Sequence, residues 1–297
     1  MGFDVTAMLD YVRHDEQIAN RVVAGAKTID FLQSYGSLVF GKGEVALSNI
    51  SQTIVFGDGS TCGRVEGGTT ELDQRKIKFH PITEYTSFCM KDLYAKFLNE
   101  KISKGQKEEK LDNEIYGKIV EGRADMIAGE LEKLIWQGDV SLTGTTNMKR
   151  FDGFVKVITA DGETLTVTGA DVIAKLQSFV GQIPTELKAA DDFRVFIGKH
   201  TEDAINLKLF QLNLFNPAQA GTIPGTTVKY EVMPGLNGVA KVVGARATNL
   251  RAILDDAADA NTAEGYYVAK DKKVYLDFAF GSGVQITIAD ETYIATV

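Results

Sequence analysis

Cys62 and His80 come nearest to a nucleophile and its base, because a thiol reacts as thiolate and needs an imidazole or another cation to hold that charge. The chain has two cysteines, Cys62 and Cys89, and three histidines, His14, His80 and His200, and none lies in a catalytic signature. The stretch TIVFGDGSTCG places Gly57, Gly59 and Gly63 after an apolar run. A dinucleotide cradle needs G-x-G-x-x-G opening a helix, whereas this spacing is one residue too long and runs into polar sequence. No Lys-Ser or Lys-Thr follows, so the stretch reads as a hairpin tip. The acid pairs Asp191-Asp192 and Asp255-Asp256 lack the alternate ligand spacing of a calcium loop and read as solvated turns. The residues therefore point to no enzyme, with no catalytic, cofactor-binding or metal-ligating set.

The elements that would position such residues carry more information. At 297 residues and 44% hydrophobic composition, the chain is long enough to bury one large core or two modest ones. Two cysteines offer no disulfide framework, so a reducing compartment is expected. MGFDVTAMLDYV lacks the basic start and apolar run of a signal peptide, and no stretch is apolar enough to span a bilayer. A net charge of −8 excludes a nucleic-acid reader built on a basic patch, but suits the inner wall of a container that must not adhere to its nucleic acid.

Ile115, Ile119, Ile127 and Leu131 recur at helical multiples with Arg123 in register, and Leu134 and Ile135 extend the stripe to Trp136, the one tryptophan. The helix is expected over about 111–137. Glu130, Glu132 and Lys133 are placed on its solvated face, and Gly138 is read as a left-handed cap. Residues 6–33 read as helix, and residues 53–81 as a long, thinly packed hairpin with turns near Asp58-Gly59 and Gly67-Gly68. Such a ribbon buries too little of its own surface to stand alone, so it is expected to lie on a neighbouring copy. A short helix is expected at Met90–Glu100, then a solvated linker. RFDGFVKVI reads as a strand beginning at Phe151. Thr168 and Asp171 bracket a helix start with Val172, Leu176, Phe179 and Val180 inward; DFRVFIG reads as a buried strand. Thr201 is expected to cap a helix that Pro217 ends, and residues 228–297 read as strand-rich.

In order, these parts are a helical arm, a glycine-rich hairpin, a long helix ending LIWQGD, a strand from RFDGFVKVI, an α/β block and a strand-rich return. With the words VFGDGSTCG, SFCMKDL, LIWQGD, RFDGF and ATNLRAILDD, this resembles the Hong Kong 97-type major capsid protein of tailed bacteriophages, and most of all those of crAss-like phages.

The resemblance implies an α+β capsid fold: an N-terminal arm at 1–51, an extended loop at 52–81 and a peripheral domain at 82–161 with its spine helix. An axial domain at 162–232 and a return at 233–297 complete it. It implies a subunit that self-assembles through pentamers and hexamers into the icosahedral head enclosing double-stranded DNA. The expected location is the virion, with assembly in the bacterial cytoplasm. The implied partners are further copies, a portal protein, and scaffolding and decoration proteins; no membrane and no cofactor are implied. Only about 50 residues precede the hairpin, too few for a fused scaffolding domain, so scaffolding is expected either from a separate protein or not to be needed. Contact between copies falls to the ribbon charges Arg64, Glu66, Glu71, Asp73, Arg75, Lys76 and Lys78, and Trp136 becomes the anchor holding the spine helix on the peripheral sheet. An encapsulin-type compartment shares this fold and would differ in its cargo. From another class, a cysteine hydrolase would need Cys62 and His80.

Overall fold

The computed structural model describes residues 25–56, 67–89, 108–144, 146–213, 221–255, 262–268, 270–271 and 273–297, with side chains omitted at 108–116 and 262–263. The expectations placed on residues 6–24, on the hairpin tip and on Met90–Glu100 lie outside the described residues.

A first helix, α1 (Lys27–Ser34), leads into β1 (Leu38–Phe40) and then a two-stranded ribbon of β2 (Glu44–Gln52) and β3 (Thr70–Lys78). Strand β4 (His80–Cys89) precedes the long helix α2 (Glu108–Gln137), followed by α3 (Phe154–Asp161) and β5 (Glu163–Thr164). The α/β block holds α4 (Val172–Gln182), α5 (Thr185–Lys188), β6 (Phe193–Ile197), α6 (Lys199–Gln211) and β7 (Tyr230–Val232). The return holds β8 (Lys241–Arg246), β9 (Leu250–Leu254), β10 (Thr262–Val268), β11 (Lys273–Ile286) and β12 (Thr292–Thr296).

Two five-stranded sheets result, one with strand order β5-β12-β8-β6-β7 and the other β1-β9-β11-β10 with β4 also on β11. The return serves both. Its strands β8 and β12 lie inside the first sheet, while the first half of β11 runs between β10 and β4 and its end pairs with β9. One apolar core joins α1, α2 and α3 to the β9–β11 sheet and to Phe196, Val243, Ala245 and Ile294 on one face of the other sheet. That sheet's opposite face, with Val195, Ile197 and Val242, packs on Leu176, Phe179 and Val180 of α4 and on Ile205 of α6. Residues alternate across a strand, so one sheet supplies both cores.

Several local expectations are corrected. RFDGFVKVI is not a strand: Phe154 and Ile158 of α3 are fully buried one helical turn apart, and a short apolar run alone does not distinguish the two periods. Asp171 itself caps α4, its carboxylate accepting from Ala174 N at 2.9 Å, and the inward residue is Ile173 in place of Val172. Helix α6 starts after Gly198, so Thr201 is a buried first-turn residue, and the helix ends at Gln211, before Pro217. Gly138 is needed for close approach, since a Cβ there would lie 2.3 Å from Phe151 O, and it is not among the glycines with positive φ.

Candidate assembly surfaces

The ribbon begins at Glu44, earlier than the boundary at residue 52, because the polar stretch before the hairpin is itself a strand. Its register runs from Glu44 opposite Lys78 to Gln52 opposite Thr70. Past the last pair, Thr53 N donates to Thr69 O at 2.9 Å, so the ladder continues outward. The strands are close enough there that a Cβ on Gly68 would lie 2.2 Å from Thr53 O.

The ribbon changes its apolar face along its length. At the base Val45, Leu47 and Ile77 face one way and pack on Ile253, with Ile77 fully buried. Farther out the opposite face carries the apolar residues. Ile50 and Leu72 sit directly across from one another, 60% and 77% exposed, and past the end of β2 Ile54 and Phe56 are exposed to 75% and 93%. Strand alternation puts Ile50 and Leu72 on one side, and nothing among the described residues covers any of the four.

The ribbon charges named from sequence have different surroundings. Arg75 Nη1 donates to Asp161 Oδ2 at 2.7 Å, which holds the ribbon base to α3 of the same subunit. Lys76 and Lys78 approach Glu44 at 3.8 and 3.9 Å, loose exposed pairs of small energetic weight. Glu71 and Asp73 are exposed. Arg64 and Glu66 lie outside the described residues, as does Cys62, while His80 stacks on Phe151 with ring centroids 5.9 Å apart.

At the end of α2, Trp136 is fully buried between Phe154 and Phe196, ring centroids 5.3 and 5.4 Å away. Phe196 belongs to β6, so the indole meets the β5–β12 sheet, in the apolar core that also takes in residues of the β9–β11 sheet. Its Nε1 donates to Thr28 Oγ1 at 2.6 Å, and that hydroxyl donates to Glu132 Oε1 at 2.7 Å. Thr28 N and Gly235 N also donate to Glu132, at 2.8 and 3.3 Å. Glu132 is 3% exposed, so its placement on the solvated face is corrected. Its signal lay one helical turn from Trp136, on the same side of the helix. With every oxygen paired, this carboxylate ties α2 to α1 and to the Pro234–Leu236 turn.

Beside β4, α2 borders a groove of about 340 Å³ lined by Ile82, Met126, Ile127, Leu131, Leu134 and Phe280. Arg123 and Glu84 pair in its wall, and among the described residues Glu84 Oε2 and Arg123 Nε have no hydrogen-bond partner. One member of each acid pair makes an ion pair: Asp192 accepts from Arg246 Nε at 3.0 Å and from Thr248 Oγ1 at 2.5 Å, and Asp255 lies 3.9 Å from Lys42, while Asp256 lies outside the described residues. Among the described residues, no group of His, Cys, Asp and Glu is arranged to hold a metal, and no helix is long and apolar enough to cross a membrane.

No family model matches the sequence, and no curated protein does. Solved structures do match. A chain of the satellite phage P4 procapsid that includes the size determination (Sid) protein aligns over 100% of this chain and 91% of its own, at 10% identity and TM-score 0.61. A chain of the capsid of Myoviridae phage XM1 aligns over 89% and 90%, at 12% identity and TM-score 0.55. A chain from the capsid of an empty GTA particle aligns over 89% and 88%, at 11% identity and TM-score 0.54. The chain therefore has the mixed α+β fold of the chains that build phage and GTA capsids.

Proposed function

We propose that this protein is a major capsid protein, a structural subunit that assembles with its own copies into the icosahedral head of a tailed phage around double-stranded DNA. The observation that carries this reading is the ribbon: a paired arm, rooted in its own subunit by Ile77 and Arg75, whose outer apolar row is left uncovered in a chain with a capsid fold. An uncovered two-stranded ribbon is marginal in water, and a second copy is the most economical cover.

Within this reading the type is that of Hong Kong 97, with wording closest to crAss-like phages. The ribbon is the extended loop, α2 the spine helix, 82–161 the peripheral domain, 162–232 the axial domain and 233–297 the return. Trp136 is the anchor of the spine helix, and Arg64, Glu66, Glu71, Asp73, Lys76 and Lys78 set register between copies. A portal protein joins the copies in the virion, scaffolding and decoration proteins are the candidate further partners, and assembly takes place in the host cytoplasm.

Negative-stain electron microscopy of the purified protein tests the reading. Closed shells, tubes or five- and six-membered rings are expected; a protein that stays monomeric at high concentration overturns it. Particles that package an enzyme cargo in place of a genome would identify an encapsulin-type compartment instead.

A further inference from the structure

We propose that the face of the β4–β11–β10 sheet turned away from α2 binds an aliphatic di- or polyamine, with Asp277 and Glu264 holding its ammonium groups between Tyr85, Tyr266 and Tyr275. The inference goes beyond the shell-forming reading and does not depend on it.

The register builds the site. On β11, Val274, Leu276, Phe278 and Phe280 enter the core shared with α2, so alternation turns Tyr275 and Asp277 to the opposite face. Asp277 lies between Tyr85 of β4 and Glu264 of β10, each directly across from it, and in the next row Tyr275 lies between Ser87 and Tyr266. Three strands thus bring three tyrosines and two acids into adjacent rows, where directly opposed Cβ atoms are about 5 Å apart. Tyr266 and Tyr275 stack, ring centroids 5.5 Å apart and 11° from parallel, and Tyr275 Oη donates to Asp271 Oδ2 at 3.2 Å.

The site is short of positive charge. Burial raises the pKa of Tyr266, and the charge of Asp277, a hydrogen bond to it, and the neighbouring Tyr275 and Tyr85 raise it further, so this hydroxyl stays a neutral donor. Even with that contact, Asp277 Oδ1 is buried and has no hydrogen-bond partner among the described residues. A carboxylate oxygen left in that state is costly, and the N–H of a cation is its strongest partner. On this face the three strands carry one basic residue, Lys273, four positions from Asp277 and so about 13 Å along the strand, with Tyr275 between them.

The surrounding groups select the kind of cation. Tyrosine rings attract ammonium groups through their negative faces, and an alkylammonium also lays its methylenes against them. A hard metal ion needs several oxygens around it, and no acidic or histidine group among the described residues is arranged to give them. Glu264 is exposed directly across from Asp277, so two charges on a short alkyl chain meet both acids. Tyr85 and Tyr266, 68% and 39% exposed, leave the entrance open to solvent. Bound there, the amine spans from β4 to β10 across β11 and stabilises the sheet by mass action.

Isothermal titration calorimetry of the full chain with putrescine at low ionic strength tests the site. Saturable binding is expected. Asp277→Asn is expected to weaken it at least about tenfold and, because it removes an uncompensated charge, to leave the melting transition of the free protein unchanged or higher. Tyr85→Ala, at an exposed position, is expected to keep the wild-type circular dichroism and weaken binding by about two- to fivefold. Absence of saturable binding, or wild-type affinity in Asp277→Asn or in Tyr85→Ala, overturns the proposal. Magnesium chloride at matched ionic strength is expected to give no saturable binding; magnesium binding that Asp277→Asn abolishes would make this a metal site and overturn the amine assignment. An Asp277→Asn chain that melts earlier than wild type would show that the carboxylate has its partner within the chain, which also overturns the proposal. These readouts stand whether or not shells form, so failure of the site and failure of the shell-forming reading are separately visible.

Discussion

Trp136 Nε1 donates to Thr28 Oγ1 at 2.6 Å, across 108 residues of sequence, and the same hydroxyl donates on to the buried carboxylate of Glu132. One threonine thus satisfies an indole and an acid. Thr28→Ala leaves both buried groups short of a partner and is expected to cost about 1–3 kcal/mol per group left unpaired. Thr28→Ser keeps the hydroxyl and is expected to stay near wild type. Denaturant unfolding of the two variants checks the pair; equal loss from both would show that the methyl group, not the hydroxyl, matters.

Removing the ring itself has a larger consequence. Trp136 is 0% exposed between Phe154 and Phe196, so Trp136→Ala opens a cavity that aromatic side chains on two other elements line. A loss of about 3–5 kcal/mol is expected. Calorimetric melting provides the measurement, and an unchanged transition would contradict the burial.

Gly235 lets the Pro234–Leu236 turn approach α2. A Cβ there would lie 2.3 Å from Glu132 O and 2.4 Å from Trp136 Cδ1, contacts that require backbone or a buried ring to move. Gly235→Ala is therefore expected to destabilise by about 1–3 kcal/mol, the usual cost of overpacking, while Gly238→Ala, on a residue with open space but positive φ, reports backbone strain alone. Parallel urea unfolding separates the two causes.

The long helix was legible because its apolar spacing persists over many turns, and that signal grows with length. The eight residues of α3 carry only Phe154 and Ile158 as a helical pair, so the run passed for a strand. Glu132 was misplaced because acids default to solvent, and its partners, Thr28 and Gly235, are far away in sequence. The inner half of the ribbon was missed for a related reason: β2 is mostly polar, and its register with β3 is set by Ile77 and Leu47 reaching Ile253. The idea of an uncovered ribbon needed only composition, whereas the reversal of its apolar face needed the register.

His80 gives a pH dependence with a definite sign. Burial lowers its pKa below the usual 6.5, Lys78 adds to the effect and Asp152 opposes it. The unfolded chain then binds this proton first as pH falls, so stability declines from about 6.5 down through the lowered folded value. His80→Gln is expected to remove that share of the slope. Two-dimensional NMR of the imidazole resonances, with urea unfolding at pH 7.5 and 5.5, checks both parts; a folded-state pKa above 6.5 would reverse the sign.

The last prediction separates the two halves of the ribbon. Inside, Arg75 holds Asp161 and Ile77 fills a space beside Ile253, so these residues belong to the stability of their own subunit. Outside, Ile50 and Leu72 face water and contribute nothing to that subunit, so changing them leaves its fold alone. Ile50→Lys with Leu72→Glu keeps the pair directly opposed with complementary charges, which preserves the ladder while removing the apolar row. This double variant is expected to show wild-type circular dichroism and an unfolding midpoint within about 0.5 kcal/mol of the parent, as for surface changes generally. Its assembly should fail, because charged side chains cannot be covered by a second copy without losing their hydration. Ile77→Ala is the opposite case. It should lose about 2–5 kcal/mol of subunit stability through an internal cavity, while its outer row remains able to dock. Unfolding curves and electron microscopy on both variants test the division, and closed shells from the outer double variant would show that the ribbon's apolar row is not what joins the copies.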